Sequence, residues 1–174
     1  MKRIIIVLLS FLTIISILTA CNKVESAPKI KVPQIMDIAQ YSRMTPEELV
    51  TKLGEPLRKD EWIHEGSKGQ KHQALSYNYE IDQYPLELII IDNAVVKMNV
   101  LASESDNNQF KIKANKDVFA LAGITPTDKI KTLIENSVTL RYASISDPVS
   151  DLWVTLEGKE IRFLEVTYNS SYFN

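Results

Sequence analysis

Two histidines, His64 and His72, flank a loop that contains Gly66 and Gly69. An imidazole pair could contribute to a metal centre, with Asp60, Glu61 or Glu65 as neighbouring carboxylates. Such a centre needs three or four converging ligands, and the chain has no third histidine. The pair is therefore read as two ends of a hairpin. Nucleophilic hydrolysis on a shaped strand-to-helix turn would carry Gly-x-Ser-x-Gly, and that pattern does not occur. Five glycines leave no phosphate-cradling loop. Among 22 acidic residues no two are marked by position as the acid and base of sugar hydrolysis. The reading is a chain with no catalytic residue, no metal centre and no cofactor.

Aromatic side chains suggest recognition instead. Trp62, Tyr77, Tyr79, Tyr84 and Trp153 lie in or beside expected strands, with Tyr168, Tyr172 and Phe173 near the chain end. Tryptophan and tyrosine dominate many interfaces, so the first five are the candidate partner-binding residues. The same rings also fill cores with a polar tip left at the surface, the simpler reading of Tyr77 and Tyr79. Tyr172-Phe173-Asn174 is expected to pack back onto the sheet.

The remaining reactive side chain is Cys21, the one cysteine in 174 residues. Before it run a basic Met1-Lys2-Arg3 and an apolar stretch, Ile4 to Leu18, broken only by Ser10, Thr13 and Ser16. That stretch is too short to span a bilayer comfortably and has the shape of an export signal. Its end, Leu18-Thr19-Ala20-Cys21, resembles the bacterial lipobox. The resemblance implies a diacylglyceryl group on the Cys21 thiol and cleavage just before it. Residues 1–20 are then the signal peptide, and 154 residues remain for the lipoprotein, without a disulfide.

Charge supports the same picture. The 20 basic and 22 acidic residues become 18 and 22 without Lys2 and Arg3, a net charge near −4. An evenly salted acidic surface excludes the concentrated basic face that nucleic acid requires. Membrane attachment is expected through the lipid on Cys21, not through a polybasic patch. Frequent Ile, Lys and Asn resemble low-GC Gram-positive usage; the export signal and lipobox imply a lipid-anchored location on the extracytoplasmic face of the cell membrane.

Positioning elements follow. Residues 21–34 form the lipidated start and a tether with Pro28 and Pro33, whose typical reach is about 20 Å and whose maximum is about 45 Å. Thr45-Pro46-Glu47-Glu48 carries a capping box and a proline suited to a first turn. Leu49, Val50 and Leu53 make one apolar face, and Gly54 with Pro56 ends the helix. Strands are expected over Leu57–His64, Gln73–Ile81, Leu86–Ile91 and Val95–Leu101, with turns at Asp82–Pro85 and Asp92-Asn93-Ala94. After a polar break from Ser103 to Gln109, Thr125-Pro126-Thr127-Asp128 repeats the helix-start pattern. Ile130, Leu133 and Ile134 repeat the apolar spacing. Strands over Asp151–Leu156 and Glu160–Tyr168 follow, around Glu157-Gly158-Lys159. The fold class expected is α+β: short helices packed on antiparallel β-sheet, in two lobes spanning 35–102 and 109–174 that are either related helix-plus-meander units or two units whose helices merely start alike.

Met44 to Pro56, Tyr77-Asn78-Tyr79, and the apolar strand that ends in Asp92-Asn93 before Val95-Val96 together resemble a known order of elements. It is similar to small lipoprotein domains of the SmpA/OmlA (BamE) type and to the beta-lactamase-inhibitor-protein-like fold. The resemblance covers roughly residues 44–101 and implies protein binding without catalysis. The expected function is a non-catalytic protein-binding module at the cell envelope. Capture of a small ligand or wall fragment, a prophage-type exclusion role and a weak carboxylate hydrolase stay open as alternatives.

Overall fold

The structure is a computed structural model that describes residues 37–81, 84–101 and 110–173. The signal segment, Cys21, the tether and the Ser103–Gln109 break lie outside the described residues. The chain order is a 3-10 turn Ile38–Tyr41, then helix α1 (Pro46–Leu53) and strands β1 (Arg58–Glu65), β2 (Lys71–Ile81), β3 (Tyr84–Ile91) and β4 (Ala94–Leu101). Helix α2 (Asp117–Leu121) follows, then β5 (Lys131–Glu135), β6 (Thr139–Ala143), β7 (Asp151–Glu157), β8 (Glu160–Thr167) and a 3-10 turn Ser170–Tyr172.

Local chemistry explains the regular pieces. Thr45 Oγ1 accepts from the Glu48 amide while the Glu48 carboxylate accepts from the Thr45 amide, closing the capping box of α1. Gly54, at φ +84° and ψ −172°, takes an extended positive-φ conformation open to glycine, and the helix stops there. Asp92 and Asn93 both have positive φ, at 50° and 61°, the geometry of a two-residue turn whose twist matches the strands it joins.

All eight strands form one antiparallel sheet in the order β1-β2-β3-β4-β8-β7-β6-β5. Two four-stranded meanders meet at a seam where Met98 pairs with Val166 and Val100 with Leu164. The expected α+β class is thus corrected to mainly β. Among the described residues α1 has eight residues and α2 five, too little helix to form a layer of its own. Pairing between β4 and β8 fuses what were read as separate lobes into a continuous sheet.

The second expected helix is also corrected. Thr127 makes a turn: its hydroxyl accepts from the Lys129 amide at 3.4 Å and its carbonyl from the Ile130 amide at 3.3 Å. The chain then enters β5, whose register with β6 pairs Thr132 with Tyr142 and Ile134 with Arg141. Cross-strand pairing outweighs a local cap motif here, and β-branched Thr132 and Ile134 suit a strand. The helix of this half lies earlier, where the Asp117 carboxylate accepts from the amides of Lys113 and Ala114.

One sheet face carries the main core. Leu88, Met98, Leu140, Leu152, Val154 and Val166 are fully buried there beneath the two helices, the first 3-10 turn and the adjoining loops. The Tyr168 hydroxyl donates to the Ile38 carbonyl, fastening that 3-10 turn to the sheet. No helix among the described residues is long and apolar enough to cross a membrane.

Candidate binding surface

Because strand side chains alternate, every strand that feeds the core also presents a second set of residues on the opposite face. The strand registers connect these into a row: Arg58 opposite Asn78, Asn78 opposite Glu87, Glu87 opposite Asn99, Asn99 opposite Glu165, Glu165 opposite Trp153 and Trp153 opposite Arg141. The row crosses seven strands, about 29 Å at the ordinary interstrand spacing. Asn78, Glu87, Asn99, Glu165 and Arg141 are half-buried, and Trp153 is 37 % exposed.

Polar groups on this face are knitted together. The Asn99 amide donates to Glu87 at 2.9 Å, and Lys97 pairs with Glu165 at 3.0 Å. Arg58 pairs with Asp60 at 2.6 Å, and the Asn78 amide reaches the same carboxylate at 3.3 Å. Arg141 pairs with Asp151 at 3.2 Å while its guanidinium carbon lies 4.9 Å from the Trp153 ring centroid. Burial lifts the Asp151 carboxyl above its ordinary value; Arg141 opposes that rise. Such fixed side chains make a surface preorganised for recognition.

One corner is closed by the chain end. Tyr172 and Phe173 pack with Trp62 over Ala74, Ile89, Ile91 and Val96. The Tyr172 hydroxyl donates to Asp92 at 2.8 Å, and Lys97 sits 4.1 Å over the Phe173 ring. The expected return of these residues to the sheet is what the structure contains.

Pleating divides the five candidate aromatics. Tyr77, Tyr79 and Tyr84 lie in the core, Tyr84 edge-on to Phe110 with ring centroids 4.3 Å apart. Burial pushes the Tyr79 phenol up to about 12. Trp62 and Trp153 are on the opposite face, but four strands lie between β1 and β7, so they do not converge. Trp62 donates its indole N–H to Ser76 at 3.0 Å beside the closed corner, leaving Trp153 as the one of the five candidates on the open part.

His64 and His72 are cross-strand partners one pair from the turn of the β1–β2 hairpin. His64 Nε2 donates to the Tyr172 carbonyl at 2.8 Å, so that nitrogen carries a proton. His72 meets the Tyr172 ring edge-on. Both serve the chain-end strap, and among the described residues no cluster of three metal-ligating side chains exists. Glu87, Asn99, Glu165 and Arg141 escaped the sequence reading as site residues. Their signal was a polar side chain recurring at alternate positions of otherwise apolar strands.

Two clefts border the row. One of about 420 Å³ lies between Leu57 and Phe163, beside Glu87 and Asn99. Another, of about 810 Å³, is lined by Arg141, Asp151, Tyr168 and the 144–150 loop.

No protein-family model matches the chain, and no curated protein does. Distant likenesses occur among solved structures, and two of them are as follows. An extracellular protein containing a SCP domain from Bacillus anthracis str. Ames aligns over 77 % of this chain and 46 % of its own, at 14 % identity and a TM-score of 0.43. A cysteine-rich secretory protein from Staphylococcus aureus subsp. aureus Mu50 aligns over 82 % and 48 %, at 12 % identity and a TM-score of 0.44. This chain spans less than half of either neighbour, and likenesses this distant assign it neither a fold family nor a function.

Proposed function

We propose that this chain is an extracytoplasmic lipoprotein, held at the cell membrane through Cys21, whose open sheet face docks another envelope protein without catalysis of its own. The observation that carries the reading is the row from Arg58 to Arg141. It is a wide, ion-paired face with an exposed tryptophan, opposite a face already filled by core. The lipobox-like Leu18-Thr19-Ala20-Cys21 supports the address. Both tryptophan and arginine are favoured at binding hot spots.

A photocrosslinking residue at Trp153 or Thr155 should give one saturable protein adduct in intact cells. The same residue at Lys52 of α1, over the core face, should give none. Adducts from Lys52 alone would overturn the docking face. Anchoring is tested separately: Cys21→Ala should stop incorporation of labelled palmitate and leave the precursor uncut. Continued incorporation would remove the lipid from the proposal.

The cleft of about 810 Å³ favours a second reading, capture of a small ligand or wall fragment. A thermal shift with wall-derived sugars or peptides, abolished by Asp151→Asn, would support it; no shift with any of them would dismiss it.

A further inference from the structure

We propose that the cleft between Leu57 and Phe163 receives a lysine or arginine side chain of the docked partner, a proposal that rests on the docking face above. Charge complementarity carries it. Along the row, three cations of the open face already have an anion: Arg58 with Asp60, Lys97 with Glu165 and Arg141 with Asp151. Two carboxylates are left over, Glu80 and Glu87, and both line this cleft. Neither has an ion-pair partner among the described residues; Glu87 accepts only the Asn99 amide. That bond also fixes Asn99, because a carboxylate accepts and the NH₂ must face it. Its Oδ1 is then buried without a donor. Arg58 and Asn78 line the cleft too, but Arg58 is paired with Asp60 and the Asn78 amide donates to the same carboxylate, so Glu80, Glu87 and Asn99 Oδ1 leave the cleft with an excess of acceptors and of negative charge.

The rim supplies the rest of the specificity. Leu57 is 76 % exposed and Leu101 54 %, with Pro85 and Phe163 beside them. A bare ion gains nothing from such walls. A long side chain with an alkyl stem and a cationic head fits both parts: the stem lies along the leucines and the head reaches Glu87. An acidic side chain would meet uncompensated repulsion, and an apolar one would leave the acceptors dry.

The test uses the full chain in detergent micelles, ¹⁵N-labelled, titrated with acetylated tripeptide amides whose middle residue is lysine, arginine, norleucine or glutamate. The basic peptides should shift the Asn99 side-chain amide and bind at least about tenfold more tightly than norleucine, an advantage that salt reduces. Glu87→Gln, which keeps shape and removes charge, should abolish that advantage with thermal unfolding unchanged. Glu80→Gln should reduce it less, since Glu80 is the more exposed. Equal binding of lysine and norleucine peptides would overturn the proposal, as would an unaltered preference in the Glu80→Gln, Glu87→Gln double variant. Binding of spermidine without binding of the lysine peptide would overturn it too. Crosslinking from Trp153 stands apart from these readouts. Adducts that persist while the basic preference is absent would remove this subsite and leave the docking face. Preference without adducts would do the reverse.

Discussion

The two faces of this sheet are made by the same strands and obey opposite rules. On β8, Leu164 and Val166 disappear into the core while Phe163 and Glu165, alternating with them, face outward. On β7, Val154 is fully buried and its neighbour Trp153 lies against Arg141 in solvent. The core face is held by apolar area and tolerates buried phenols. The open face is held by ion pairs between side chains that are only half-buried, and such pairs contribute little to stability. Stability and the proposed docking are therefore separable along a single strand, by stepping one residue.

The separation can be broken most severely at Leu164. Leu164→Ala should cost about 2–5 kcal/mol in denaturant unfolding, through lost burial and a cavity. A loss below about 1 kcal/mol would mean that the seam between β4 and β8 is not part of the core. Alkaline pH attacks the same face. Burial pushes the phenols of Tyr79 and Tyr142 up to about 12. Folding thus favours their neutral forms. That contribution is complete below the unfolded value near pH 10 and is lost as pH rises through about 12. The denaturation midpoint should fall across that window, and Tyr79→Phe with Tyr142→Phe should flatten the fall.

A smaller effect comes from the cover over the core. Thr45→Ala opens the capping box of α1 and should cost about 1 kcal/mol, seen as a lowered melting temperature. The smallest sharpens the contrast. Trp153→Ala should change stability by less than about 1 kcal/mol, yet it should weaken capture of the partner by more than tenfold. If it unfolded the protein instead, the open face would be structural and not a docking surface.

Much of the fold was legible because its signals are local. The cap, the proline and the glycine of α1 sit within the ten residues from Thr45 to Gly54, and Leu75, Tyr77 and Tyr79 alternate visibly with polar neighbours. The β5–β6 pair was not read. Leu133 at the sheet edge is exposed, so β5 lacks a clean buried face, and Thr125 to Asp128 imitated a cap. The alternation of Leu140 and Tyr142 was present but short. The fold class failed for a different reason: no local pattern announces that β4 will pair with β8. Of the site, composition pointed to aromatics, whereas the pleat placed three of five inside. A row assembled from six strand registers exists only after pairing, which is why Glu87, Asn99 and Glu165 had no joint signature in the sequence.

The seam also sets an order of events. The strand that sits beside β4 at the middle of the sheet is β8, the last of the eight to be synthesised. A chain that emerges N-terminus first therefore holds a four-stranded half whose apolar β4 edge stays bare until residue 167 has appeared. The first half is in waiting, vulnerable to pairing with another copy, and the nascent protein completes its sheet from the centre only when its final hairpin arrives.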